Sequence, residues 1–276
     1  MMWLQWLIPW EASASILFVT ILTASLFVRG CRKIKQSLPQ KIAFGVGLLS
    51  MYAVTQTQAD YFAEHEFFVH QLQNAVLHHI GPFLIVLAGP KDTLFAGLPI
   101  TGKRLIVGLS HWLPAQALVK LLFHPVAAVL MFAGLIVFWL LPSVHFIAML
   151  DWRLYRLMNW SMALNGLMFW GAVLNSKAGR SAGCRIAMML AVIPPQILIG
   201  AIIFFTVREL YPIYTLCGRA FAGISSIADQ QIGGLILWTQ GAMMGIAGIL
   251  IVIQQELRQS PSAVDTRLPV EKRPGL

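Results

Sequence analysis

The sequence predicts an all-helical fold: a polytopic bundle of seven transmembrane helices, with the amino terminus outside the cell and the carboxyl terminus in the cytoplasm. Three observations lead to this prediction: an apolar composition, seven apolar windows of span length, and basic residues clustered between alternate windows. Of the 276 residues, 58% are hydrophobic and 11% are charged, whereas soluble domains carry about 25% charged residues. At about 20 residues per crossing, the chain has room for about six to eight spans.

Seven apolar windows follow one another along the chain, each close to the length of one crossing. They lie at about 12–28, 42–59, 67–89, 122–141, 155–175, 185–207 and 231–254. Together they define a seven-span transmembrane domain over residues 1–254. Residues 255–276 are polar and contain three prolines. Because such a segment buries too little apolar surface to fold, we expect it to be a disordered cytoplasmic tail.

The basic residues set the predicted orientation. Sixteen of the twenty Lys and Arg residues follow the first, third and fifth windows or lie in the tail, and the other four are Arg153, Arg156, Arg208 and Arg219. Since cytoplasmic loops carry an excess of Lys and Arg, the larger group marks the cytoplasmic side. The net charge of +9 is therefore explained by topology, which indicates a lipid bilayer and no nucleic acid as partner.

Between the third and fourth windows, segment 92–121 mixes Gly, Pro and charge with a short apolar piece, and we expect it to lie along the cytoplasmic interface. Small residues recur at helical spacing in the seventh window, which favours the close approach of another helix. These are Gly234, Gly241, Gly245 and Gly248. Asp229, just before that window, should be bonded to a neighbour, because an unpaired charge there would be costly.

The residues that could carry chemistry concentrate around the start of the third window. His70, Asn74 and His78 are spaced four apart and share one helix face. Imidazole is a ligand for copper or zinc, so this polar stripe predicts a metal site, with ligands drawn from His70, His78, His65, Asp60 and His145. The alternative is that the stripe makes hydrogen bonds between helices and holds the bundle together.

One ion cannot bind both stripe histidines directly, because eight residues of helix separate them by about 12 Å of rise. A metal near the outer face would therefore use His70 with Asp60, His65 or His145. His78 would lie deeper, as a second site or as a hydrogen bond between helices. Met158 and Met162 in the fifth window and Met243 and Met244 in the seventh could add a thioether ligand, although methionine mostly fills gaps in packing.

Four stretches of the sequence carry a resemblance to a known family. They are the segment HQLQNAVLHHIGP at 70–82, FWLLP at 138–142, LMNWSMALNGLMFW at 157–170 and ADQQIGGLILW at 228–238. In them the chain resembles the CtaG family of cytochrome c oxidase assembly proteins. The resemblance implies a seven-span protein of the bacterial inner membrane, cytochrome c oxidase subunits as partners, and copper as the metal. At three positions where that family has histidine, this chain has Asn74, Leu140 and Asn159.

The first functional interpretation is therefore a membrane assembly factor that helps to deliver copper to a haem–copper oxidase. A b-type haem carrier is an alternative, because His65 and His79 are fourteen residues apart and His111 and His124 thirteen. A transporter is another, suggested by proline-kinked helices and polar residues at the midplane. We do not expect an enzyme, since the sequence offers no nucleophile–base pair and no phosphate-binding loop.

Overall fold

A computed structural model describes residues 10–176 and 179–259, and this part of the chain consists of helices and connecting turns without a β-strand. The first helices are α1 (Ala14–Cys31), α2 (Leu38–Gln56), α3 (Gln58–His65) and α4 (Phe67–Leu87). Next come α5 (Lys91–Gly97), α6 (Ile100–His111), α7 (Leu113–Leu122), α8 (Pro125–Leu140) and α9 (Pro142–Leu150). The last are α10 (Trp152–Leu174), α11 (Ala182–Phe205), α12 (Ile213–Leu216) and α13 (Ser226–Gln259).

Several helices are long and apolar enough to cross a membrane. In the described residues α1, α11 and α13 qualify singly. Three bent pairs qualify together: α4 with α5, α6 with α7, and α8 with α9, bent by 77°, 80° and 74°. By length and composition the fold therefore holds three to six candidate membrane spans.

Helix α4 lies at the centre of the bundle, in contact with α2, α10 and α13. Its position is unusual for so polar a segment, because His70, Gln71, Gln73 and Asn74 are all buried. Between Ala75 and Ile80 it widens into a π-helical turn. This turn places the adjacent residues His78 and His79 both in the interior, at 0% and 2% exposure. Such single π turns are frequent at functional sites.

The predicted role of the small residues in the last span is confirmed. A Cβ atom added to Gly234 would lie 2.8 Å from the Gly200 carbonyl oxygen of α11, and one added to Gly200 would lie 2.8 Å from the Gly234 oxygen. The backbones of α11 and α13 therefore meet directly, as small residues permit within membranes. Gly241, Gly245 and Gly248 likewise lie against α11 side chains.

Two arginines donate hydrogen bonds to the carboxyl end of α10, the end that the charge pattern predicts to be cytoplasmic. Arg185 is fully buried, and its Nε donates to the Val173 carbonyl at 2.5 Å. Arg180 donates to the Ala172 carbonyl at 3.2 Å. Cations at a helix carboxyl end satisfy its last carbonyls and oppose its dipole. These residues thus stabilise the carboxyl end of α10.

Two segments predicted from the sequence agree with the structure only in part. Segment 92–121 forms α5 to α7, and neither α6 nor α7 contains a buried residue. The last helix continues to Gln259, so the predicted tail 255–276 begins inside α13. Residues 260–276 of that tail lie outside the described residues.

Candidate functional site

A small cavity lies beside the middle of α4, and four histidines line it. Its volume is about 10 Å³, roughly the space that one water molecule requires. The histidines are His70, His78, His79 and His145, joined by Asn74, Leu140, Met162 and Gln240 among others. The histidine cavity, as we name it, therefore receives side chains from α4, α8, α9, α10 and α13.

His70 is a buried residue of this cavity with both ring nitrogens unpartnered, as is the neighbouring His79. Its side chain is 0% exposed, and neither ring nitrogen has a hydrogen-bond partner. Burying a polar group without a hydrogen-bond partner typically costs about 1–3 kcal/mol in proteins. An ion or a water molecule in the cavity would remove this cost.

His145 is a second imidazole of the cavity, next to His70. Its ring centre lies 5.1 Å from that of His70. Helix α9 begins at Pro142, directly after the bend that ends α8, and the bend brings His145 inward to 0% exposure. Its Nδ1 donates to the Trp139 carbonyl at 3.0 Å, which leaves Nε2 to accept from the Tyr214 hydroxyl at 2.9 Å. The lone pair of His145 is therefore available only when Tyr214 turns away.

His78 and His79 lie deeper along α4. His78 Nε2 is bonded to Asn165 Oδ1 of α10 at 3.0 Å, so its ring nitrogen donates to that amide oxygen. Of the two roles expected for His78, the structure places it in a hydrogen bond between helices. A Cβ on Gly166 would lie 2.4 Å from the His78 carbonyl oxygen, so only glycine lets α10 approach the π turn this closely.

Asp60 and His65 are not part of the histidine cavity. Asp60 Oδ1 accepts hydrogen bonds from the Tyr155 hydroxyl at 2.8 Å and from Gln73 Nε2 at 2.6 Å. His65 Nδ1 donates to the Tyr61 carbonyl at 2.7 Å, in the same short helix. The structure thus brings His70, His78 and His145 of the predicted set to one cavity and places Asp60 and His65 outside it.

Asp60 instead lines a separate, acidic vestibule at the same end of the bundle. This cavity of about 170 Å³ is bordered by Glu11, Asp60, Glu64, Tyr155 and Asn159 among others. Burial raises the pKa of the Asp60 carboxyl to about 6, opposed by the bonds from Tyr155 and Gln73. Burial, followed by the charges of Asp60 and Glu11, raises the pKa of Glu64 to about 8.

An ion-pair cluster fixes the amino end of α4. The Asp229 carboxylate accepts from the backbone amides of Phe67 and Phe68, at 2.9 and 2.8 Å, and pairs with Arg219 at 3.2 Å. Arg219 also pairs with Glu66 at 2.5 Å. An anion at a helix amino end satisfies free amides and opposes the helix dipole. The predicted pairing of Asp229 is confirmed, and its partner is the helix that carries His70.

The next residue of the ADQQIGG segment has a matching role at the end of α11. Gln230 Oε1 accepts from the Leu210 amide at 2.7 Å, and its Nε2 donates to the carbonyls of Ile203, Thr206 and Arg208. Gly233 follows one turn later, and a Cβ there would lie 2.4 Å from the Phe67 ring. This short segment therefore ties α4 and α11 to α13.

The residues present suit a soft ion bound at low coordination. Cu(I) takes imidazole and thioether ligands, and His70, His145 and Met162 line one cavity. Among the described residues, no three His, Cys, Asp or Glu side chains converge closely enough to hold a metal ion. His70, His145 and Met162 are thus the cavity residues whose side chain types could bind such an ion.

Two of the three substituted family positions border this cavity. Asn74 and Leu140 line it, whereas Asn159 lines the acidic vestibule. Tyr214 and Tyr155 had no distinguishing signal in the sequence as site residues, since buried tyrosine is common in any core. Arg219 and Glu66 were separated by 153 residues, so their pairing left no local pattern.

The model of one protein family, described as cytochrome c oxidase caa3 assembly factor, matches residues 23–259. Among curated proteins, the chain is similar to the uncharacterized proteins Mb0105 of Mycobacterium bovis and MT0111 of Mycobacterium tuberculosis. Each is 25% identical over 226 residues, which cover 79% of this chain and 34% of the relative. The chain thus spans about a third of the length of these relatives. No solved structure matches it.

Proposed function

This chain belongs to the family of cytochrome c oxidase caa3 assembly factors, and from this premise we propose that it delivers copper to a haem–copper oxidase. It acts without catalysing a reaction, in the bacterial plasma membrane, and its partners are subunits of the oxidase. Copper is the cargo of the protein and not a resident cofactor.

The observation that carries the proposal is His70, buried with two unpartnered ring nitrogens in a cavity for one small ligand. A bonded ring nitrogen indicates packing, as His78 Nε2 does with Asn165. An unpartnered one, beside a second imidazole at 5.1 Å, has the chemistry of a copper ligand.

Release is as important to a carrier as binding. A metal ion enclosed by four strong ligands leaves slowly, whereas a set of two imidazoles and a thioether is easily displaced by the ligands of an acceptor site. The Tyr214 hydroxyl competes with the ion for His145 Nε2. When Tyr214 bonds His145, the ion keeps fewer ligands, which favours its transfer.

The arrangement in the membrane that supports this function is the seven-span one, with α3, α9 and the loop between α11 and α13 on the outer side. Helices α2 and α10 are 19 and 23 residues long, or about 28 and 34 Å at 1.5 Å per residue, which suffices for a hydrocarbon core of about 30 Å. With α1, α4, α8, α11 and α13 they would make seven crossings, while α6 and α7 would lie along the cytoplasmic interface. The vestibule and His145 would both lie near the outer surface.

A labelling experiment tests this orientation. Ser37 and Ser225 are exposed at opposite ends of the bundle, so each is replaced by cysteine in a chain whose native Cys31, Cys184 and Cys217 are replaced by serine. We expect an impermeant thiol reagent to label position 225 and to spare position 37 in intact cells. Labelling of position 37 but not of position 225 would contradict this orientation.

The function itself is tested in a strain that lacks this protein. We expect oxidase activity in its membranes to fall by about tenfold or more, and the wild-type chain to restore it. His70→Ala, present at the same level, should fail to restore it, while the exposed control His111→Ala should succeed. Restoration by His70→Ala would contradict the proposal.

The haem-carrier alternative gains nothing from the structure. It needs His111 and His124 to share one helix, but both are exposed, one at the end of α6 and the other before the start of α8. They therefore cannot offer two axial ligands from one helix face.

A further inference from the structure

The main feature of the acidic vestibule is its charge, and the proposed function gives this cavity no role. Glu11, Asp60 and Glu64 border it, and Arg156 is the basic side chain among its lining residues. Arg156 lies at the rim, 4.0 Å from Glu11, with 36% of its side chain exposed. Like charges gathered around a low-dielectric cleft attract ions of the opposite sign. The vestibule is therefore suited to cations.

A second observation, independent of the carboxylates, indicates a ligand. Asn159 is only 6% exposed, and its Oδ1 has no hydrogen-bond partner. The same residue borders the vestibule and a larger, mostly apolar cleft of about 1010 Å³. A buried carbonyl oxygen can be satisfied by a cation or by the water around it, and the vestibule, with its carboxylates, can supply either.

Tyr155 separates the vestibule from the histidine cavity. Its hydroxyl donates to Asp60 Oδ1 at 2.8 Å and lies 3.1 Å from Gln73 Oε1. The centre of its ring lies 6.2 Å from that of His70. One tyrosine side chain thus contacts the acidic group on one side and approaches the unpartnered imidazole on the other.

We propose that this vestibule is the loading mouth of the histidine cavity, where a copper ion from outside is collected by Glu11, Glu64 and Asp60 before it passes Tyr155 to reach His70. This inference rests on the proposed function. The mouth raises the local concentration of the cation and so its rate of entry. It does not hold the ion at equilibrium, because carboxylate oxygens suit soft Cu(I) less well than imidazole does.

The test separates the rate of loading from the amount of copper bound. Purified full-length protein in detergent receives Cu(I) from a chelator complex, and the rate and final amount of transfer are recorded. The double variant Glu11→Gln, Glu64→Gln removes two partly exposed charges and leaves Asp60 bonded. The matched control is Glu209→Gln, an exposed carboxylate of the same end of the bundle. Because burial raises the pKa of Glu64, all rates are compared at about pH 9, where carboxylates are ionised.

We expect the double variant to load about tenfold more slowly than wild type, with the same final copper per chain. The difference should shrink as salt is added, because ions screen exposed charges. The control should load at the wild-type rate. An unchanged rate with normal final copper would overturn the mouth and leave the proposed function standing. A wild type that takes up no copper would overturn both.

Discussion

Replacing Asp229 by alanine is expected to destabilise the protein by about 3–5 kcal/mol, the range for breaking a buried ion pair by removing one partner. Two backbone amides at the start of α4 and the Arg219 guanidinium would all lose their acceptor. The effect should appear as a large shift of the denaturant or thermal midpoint in detergent, and as a lower level of the protein in membranes. Asp229→Asn should be intermediate, since it keeps an oxygen acceptor but loses the charge.

The matched control is Asp151→Ala. Asp151 also accepts from a backbone amide at a helix start, that of Arg153 at 2.8 Å, but it is exposed. Loss of such a cap typically costs about 1 kcal/mol. Equal effects of the two substitutions would show that Asp229 acts as an ordinary cap and that its cluster with Arg219 adds nothing.

His70→Ala and His78→Ala are expected to differ in their effect on the amount of bound copper. The first removes the unpartnered imidazole and should reduce bound Cu(I) to less than about a tenth of the wild-type amount, because one soft ligand of a small set is lost. The second leaves that imidazole in place, so copper should remain. It breaks the bond to Asn165 and should destabilise the protein by about 1–3 kcal/mol, the cost of an unpaired buried group.

Copper per chain and the unfolding midpoint are measured for both variants in the same preparations. The exposed His111→Ala, in which neither quantity should change, is the control. Loss of copper from both variants in proportion to their loss of stability would contradict separate roles for the two histidines.

The helices were the part of the structure that the sequence predicted best. Each of the seven apolar windows coincides with a helix to within five residues at each end. Hydrophobic length and charge asymmetry act along the chain, so one sequence is enough to read them. The bends after Leu87 and Leu140 were less accessible, because proline indicates where a helix can break but not how far it turns.

The candidate site was predicted in part. Helix spacing placed His70 and His78 on one face of the helix, and both line the histidine cavity. The spacing did not predict that a π turn would bury His79 as well, because that turn depends on the approach of Gly166 from α10. Nor did it place Asp60 in a separate cavity, which depends on bonds to Tyr155, 95 residues away.

The ADQQIGG segment is another case in which the sequence did not give the physical role of its residues. Its likeness to a family motif indicated importance without a physical reason. The structure supplies the reason, since Asp229 holds the start of α4 and Gln230 holds the end of α11. The Asp229 contacts join residues more than 160 positions apart, and neither set of contacts leaves a periodicity in the sequence.

Copper binding by this chain is tested most directly by the copper content of the wild-type protein. The full-length protein is purified in detergent under reducing conditions, equilibrated with Cu(I) in a competing chelator, and analysed for metal and protein. We expect about one copper ion per chain, bound through nitrogen and sulfur ligands. A wild-type chain that binds no copper while it still supports oxidase assembly would contradict the claim and leave His70 as an unpartnered packing residue.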